Sequence, residues 1–203
     1  MVVIIDYGIG NTGSILNMIR KLGYECQLSK DAEIIGNASH LILPGVGSFD
    51  NAMLKLMDTG LVPYLTNLAL VEKRPILGIC LGMQMFFKGS EEGILPGLNW
   101  LRGKVVKFGK KNVGNLKIPH MGWNTVNTYN NSKLFSDQKE EFRFYFTHSF
   151  YVDCVKDEEV MGKTNHGKDF ICAVNFENIF GVQFHPEKSH KFGLDLFNLF
   201  LSL

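Results

Sequence analysis

Three short runs, VVIID at 2–6, HLILP at 40–44 and RPILGI at 74–79, lack the alternation of apolar and polar residues that a half-exposed strand shows. A strand that reads this way is buried on both faces. ECQLS at 25–29 adds a further strand, and the segments between the runs have helical spacing. In SILNMIRKLG the apolar residues Ile15, Met18, Ile19 and Leu22 recur at helical intervals until Gly23 stops them; FDNAMLKLMD and LVPYLTNLALVEK read as two more helices, and LGMQMFFKG as another after RPILGI. Strands alternating with helices require a parallel sheet covered on both sides. After about Gly97 the texture changes to KVVKF, HMGWNTVN, FRFYFTHSFYV and ICAVNFENIFGVQF, with a hairpin expected at Glu177-Asn178, before SHKFGLDLFNLFLSL closes the chain as a helix. The fold predicted is three-layer α/β: a mostly parallel central sheet flanked by helices, with an antiparallel strand portion in the C-terminal half, forming one domain over residues 1–203.

Charge and composition narrow the function. With 45% hydrophobic residues, 20% charged residues and a formal net charge of +1, the chain has neither a disordered composition nor the basic surface of a nucleic-acid binder. The opening apolar run is cut off by Asp6 and no later run reaches membrane length, so a cytoplasmic location is expected, without nucleic acid or membrane as partner. There Cys26, Cys80, Cys154 and Cys172 should stay reduced, and no Cys or His spacing suggests a metal site.

Three motifs carry chemistry. In DYGIGNTG, Gly8, Gly10 and Gly13 satisfy G-x-G-x-x-G between a strand and a helix, and Asp31 stands near the position of a ribose-binding acid. A dinucleotide-binding protein is therefore one reading; the other is a glycine-permitted loop at the sheet's carboxyl edge. Gly78-Ile79-Cys80-Leu81-Gly82 is the thiol form of a nucleophile elbow, set between a predicted strand and a predicted helix. Small residues two positions to either side of Cys80 would avoid a clash with the following helix, whose N-terminus would favour thiolate. The alternative is a buried cysteine packing as a small hydrophobe. In GVQFHPEKS, Pro186 ends the strand, and extended geometry places His185 and Glu187 on one side, where the carboxylate can orient the imidazole. Of the other histidines, His40, His166 and His190 suit surface or structural roles.

GICLGMQ at 78–84 followed by HPE at 185–187 resembles the class I glutamine amidotransferases. DYGIGN at 6–11, LPGVGSF at 43–49, PHMGWN at 119–124 and FHPEKS at 184–189 are similar, more narrowly, to the glutaminase subunits of histidine biosynthesis. The resemblance implies hydrolysis of glutamine to glutamate and ammonia with no cofactor. Cys80 would be the nucleophile, His185 the base and then the acid, and Glu187 its orienter. Val46, Gly47 and Leu81 would form the oxyanion site, and Gln84, Glu92, His148, Ser149 and Phe150 the glutamine pocket. It also implies a heterodimer with a (β/α)8-barrel cyclase that receives the ammonia, docked through Asn11, Met121, Trp123, Tyr145 and Lys188. For Trp123, ordinary core packing is the alternative. Two departures from the pattern, Gly97-Leu98-Asn99 and Thr12-Gly13, leave room for a paralogue serving a bacterial surface-sugar pathway. A catalytically silent interaction subunit is a further reading.

Overall fold

The computed structural model describes residues 1–129, 132–135, 141–153 and 155–203. Cys154 lies outside the described residues. In chain order the elements are β1 (Val2–Ile5), α1 (Thr12–Lys21), β2 (Cys26–Ser29), α2 (Ala32–Gly36), β3 (His40–Gly45), α3 (Phe49–Asp58), α4 (Val62–Leu70), β4 (Ile76–Cys80) and α5 (Leu81–Gln84). The second half adds β5 (Lys104–Lys107), α6 (Lys110–Val113), β6 (His120–Thr128), β7 (Phe142–His148), β8 (Phe150–Asp153), β9 (Val160–Asn165), β10 (Asp169–Phe176), β11 (Ile179–Val182) and α7 (His190–Leu201).

The sheet runs β2-β1-β3-β4-β11-β10-β9-β6-β7, with β8 joined to β10 and β5 to β8. From β2 to β11 every neighbouring pair is parallel; from β11 onward the pairs are antiparallel. The three layers follow from the two-residue period of a strand. Val2 and Ile4 of β1 pack on one side with Ile15 and Ile19 of α1 and Phe197 and Phe200 of α7. Val3 and Ile5 turn to the other side, with Phe49, Ala52 and Met53 of α3 and Leu65 and Leu68 of α4. An unbroken apolar run was therefore needed in a strand covered on both faces, such as β1. The β10–β11 hairpin turns at Glu177-Asn178, as the sequence implied, with Glu177 at φ +52°.

One predicted helix is much shorter than expected. LGMQMFFKG forms a single turn, Leu81–Gln84, instead of a continuing helix. The loop at 97–101 takes the carbonyls that further turns would use: Leu98 donates to Met85, Trp100 and Leu101 to Phe86, and Gly97 to Lys88. With only one turn behind Cys80, the helix-dipole part of the activation expected from sequence has little support.

The site-bearing loops meet at the carboxyl edge of the parallel strands. β3 runs beside β4 so that Gly45 pairs with Cys80, and β11 runs on the other side with Val182 opposite Ile79. Two strands in register with β4 thus carry PGVG and FHPE to the same end of the sheet as the cysteine.

Candidate active site

Cys80 sits at the bend between β4 and α5 with φ +55° and ψ −111°, a conformation that costs a non-glycine residue of order 1–3 kcal/mol and persists only where the surroundings enforce it. The two flanking glycines allow it by different contacts. A Cβ on Gly78 would stand 2.6 Å from the Phe86 ring and 2.7 Å from the Met83 nitrogen, which is the crowding against the following turn expected from sequence. A Cβ on Gly82 would instead stand 2.0 Å from the Leu43 carbonyl, so this glycine serves the approach of the bend to β3.

His185 and Glu187 form a buried pair, Nδ1 to Oε1 at 2.8 Å, with side chains 2% and 1% exposed. They meet by a different route from the one read in the sequence. The chain leaves its extended course at His185 and makes a 3-10 turn, Pro186–Lys188, which brings the carboxylate back to the ring. Asn11 completes the pair by donating Nδ2–H to the same Glu187 Oε1 at 2.8 Å. Since a carboxylate only accepts, His185 carries a proton on Nδ1 and directs Nε2, which is buried without a hydrogen-bond partner, to other work. Burial alone would push this imidazole down, but negative charge on the Cys80 sulfur and the Glu187 carboxylate outweigh it and raise it to about 10. Glu187 itself is held below the usual carboxylate range: burial opposes this, and the bonds from His185 and Asn11 prevail.

A cleft of about 460 Å³ is lined by Cys80, His185, Asn11, Val46, Gly47, Leu81, Gln84, Glu92, Pro119, Thr147, His148, Ser149, Phe150 and Lys188. It therefore brings together the predicted triad cysteine and histidine, the predicted oxyanion residues and the predicted substrate pocket, while Glu187 lies behind His185. The volume suits a ligand of amino-acid size. Glu92 accepts a bond from the Phe49 amide at 3.0 Å; partial burial raises its carboxyl above the usual range, with Asp50 adding to the shift against that bond. Among the other described cysteines, burial pushes Cys26 up to about 11 and Cys172 well above the ordinary thiol range, so neither suits a nucleophile. No group of His, Cys, Asp and Glu suited to a metal is found among the described residues.

Of the residues read as a docking surface, Met121 is 63% and Trp123 41% exposed, which removes core packing as the reason for the tryptophan. The Trp123 ring stacks on His190 and meets Tyr145 edge-on, and Lys188 lies over the Tyr145 ring. Asn11, assigned to the same surface, points its amide at Glu187 and so also belongs to the hydrogen-bond network around His185.

The dinucleotide reading is not supported by the geometry. Asp31 is occupied capping α2, accepting from the Glu33 and Ile34 amides. The third glycine of such a motif is there for close helix–sheet packing, whereas Gly13 has open space around it. Gly10, at φ +113°, is needed because a Cβ would stand 2.6 Å from Pro44, on the PGVG loop.

Sequence reasoning missed several supports. The Tyr7 hydroxyl donates to the Pro44 carbonyl; burial, and then the neighbouring Cys80, push the phenol above its ordinary range, so it stays a donor. His148 donates from Nδ1 to the Phe150 carbonyl at 2.8 Å, accepts at Nε2 from His120 Nδ1 at 3.0 Å, and His120 Nε2 accepts from Asn124 at 3.1 Å. The tautomers follow from the carbonyl at one end and the amide at the other. Burial lowers His120 to about 4 and His148 to about 3, so both stay neutral. PHMGWN and FRFYFTHSF held the relevant residues, but only strand pairing of His120 with His148 reveals the chain.

A family model described as Glutamine amidotransferase class-I matches residues 3–202. A protein of Methanococcus maripaludis named Imidazole glycerol phosphate synthase subunit HisH 2 is 49% identical over 201 residues, covering 99% of this chain and 98% of that protein. A protein of the same name from Pseudomonas aeruginosa is 44% identical over the full length of both, and one from Leptospira borgpetersenii, subunit HisH, is likewise 44% identical over both full lengths. Among solved structures, one titled as a glutamine amidotransferase aligns at TM-score 0.77 and 17% identity over 100% of this chain and 98% of its own. PurLQS from Thermotoga maritima aligns at TM-score 0.71 and 20% identity over 99% and 97%.

Proposed function

We infer the reaction from kinship and geometry together: the chain belongs to the class I glutamine amidotransferases, and it hydrolyses glutamine to glutamate and ammonia as the amidotransferase subunit of an imidazole glycerol phosphate synthase in histidine biosynthesis. The observation that carries this reading is the strained Cys80 sharing one cleft with His185, which Glu187 backs from behind. We assign the steps as follows. Cys80, its proton held on His185 Nε2, adds as the thiolate to the carboxamide carbon of glutamine. The resulting oxyanion is received by the amides of Val46 and Leu81, beside Gly47. Collapse breaks the C–N bond, the imidazolium supplies the proton, and ammonia leaves behind a glutamyl thioester. Water, activated by the now neutral His185, adds to the thioester carbon, and glutamate and the thiol are released. Gln84, Glu92 and the segment His148, Ser149 and Phe150 hold the amino-acid head group.

The ammonia goes to a (β/α)8-barrel cyclase subunit in a heterodimer, met by Met121, Trp123, Tyr145, Lys188 and the Asn11 loop. A large exposed aromatic ringed by partners fits an interface anchor. A nucleophile that must remain a free thiol suits the reducing cytoplasm, and no described helix is long and apolar enough to cross a membrane. We further read the chain as one amidotransferase domain.

The test uses the heterodimer reconstituted with the cyclase. Cys80→Ser should abolish glutamine-dependent synthesis of imidazole glycerol phosphate and leave ammonia-dependent synthesis intact; surviving glutamine turnover would remove Cys80 from its role. If ammonia-dependent synthesis runs only on a surface-sugar acceptor, the paralogous pathway replaces histidine biosynthesis.

A further inference from the structure

Gln183 is fully buried two residues before His185, and neither the motif reading nor the mechanism uses it. Its amide stands between two residues of the cleft. Gln84 Nε2 donates to the Phe150 carbonyl at 3.2 Å and to Gln183 Oε1 at 2.9 Å, and Gln183 Nε2 faces Cys80 Sγ at 3.7 Å. Amide oxygen and nitrogen are interchangeable in shape, so the direction of such a chain has to come from something that cannot turn around.

Here the Phe150 carbonyl supplies it. A carbonyl only accepts, so the Gln84 end beside it must be the NH₂ group. That same NH₂ faces Gln183, which must then answer with its oxygen. Gln183 is left with its own NH₂ toward the sulfur. Flipping Gln183 alone would set two donors against each other, and flipping both would set two acceptors together at Phe150. The Gln183 backbone is held as well, its N–H bonded to the Cys172 carbonyl at 2.8 Å.

From this directed chain we propose that Gln183 is a positioning residue for the nucleophile: it presents an N–H to the Cys80 sulfur, stabilises the thiolate and holds the sulfur beside His185. The role rests on the reading of Cys80 as nucleophile, and it takes over what a longer helix behind the cysteine would have done. It also specifies Gln84. Both of that residue's N–H groups are committed, so only its oxygen remains to offer a ligand, as an acceptor for an ammonium or amide N–H.

The test is the pH profile of Cys80 alkylation by iodoacetamide in the full chain, followed by mass spectrometry of the peptide that contains Cys80. Gln183→Glu keeps the shape and removes the donor at neutral pH. Alkylation at pH 7 should fall about tenfold and its profile should shift to higher pH. In the reconstituted heterodimer, kcat for glutamine should fall while KM changes little. Gln183→Met, with a thermal melt to establish folding, removes the donor without adding a charge and should shift the profile in the same direction. Superposable profiles for a folded variant and the parent would overturn the proposal. Because alkylation needs no glutamine, a parent chain that fails to hydrolyse glutamine would count against the reaction and leave this result standing.

Discussion

At the residue scale the site is a set of proton positions fixed by groups that cannot change role. The Glu187 carboxylate determines which nitrogen of His185 carries hydrogen, and Asn11 keeps that carboxylate in place from the far side. Removing the charge while keeping the shape should therefore cost more than removing the support. Glu187→Gln is expected to lower kcat for glutamine by about a hundredfold or more, and to weaken the preference of His185 for its charged form. Asn11→Ala should give a smaller loss of kcat. Steady-state kinetics of the heterodimer across pH distinguish the two; a Glu187→Gln variant with the parent's pH profile would break the link between carboxylate and imidazole.

At the element scale, the bend at Cys80 is enforced by its neighbours on both sides. Gly78→Ala pushes a methyl into the Phe86 ring and the Met83 amide, so it should reduce stability by about 1–3 kcal/mol in urea unfolding and disturb glutamine turnover with it. Gly13→Ala is the contrast. It lies in α1 with free space, and should raise stability by about 0.5–1 kcal/mol without touching activity. The same contrast explains what could be read in advance. The central parallel strands β1 and β4 were legible because burial on both faces leaves them unbroken apolar runs, and Cys80 with its glycines because a tight bend leaves few residue choices. The length of α5 was not, because residues 97–101 decide it by taking the carbonyls of Met85, Phe86 and Lys88. Nor was Gln183, whose place beside Cys80 and Gln84 exists only once β11 lies next to β4. The turn at Pro186–Lys188 likewise reached the predicted His185–Glu187 contact by a path that strand periodicity does not describe.

At the scale of the whole molecule, the histidines pull stability in opposite directions with pH. His120 and His148 stay neutral in the fold down to about 4 and about 3, while unfolded histidines take up protons near 6.5. The unfolded state therefore binds more protons below pH 6.5, and stability should fall as pH drops from there toward 4, with up to about two protons taken up on unfolding. His185 works the other way. Its pKa is raised to about 10, so its contribution is complete below 6.5 and is lost as pH climbs toward 10. Urea midpoints measured from pH 4 to 10 should trace a dome; a flat acid limb would contradict the neutral histidine chain. The far end of the sheet adds a further consequence. Among the described residues β7 is the last strand on that side, and at Tyr145 its backbone is answered by the turn at Pro186–Lys188: His185 N–H bonds the Tyr145 carbonyl, and Tyr145 N–H bonds Ser189 Oγ, whose hydroxyl returns to the His185 carbonyl. The turn that holds Glu187 against His185 is thus also a lid on an open strand edge. Loosened from β7, the chain would have a sticky margin as well as a dead site, and Ser189→Ala should show up first as aggregation during expression, before any assay of glutamine is run.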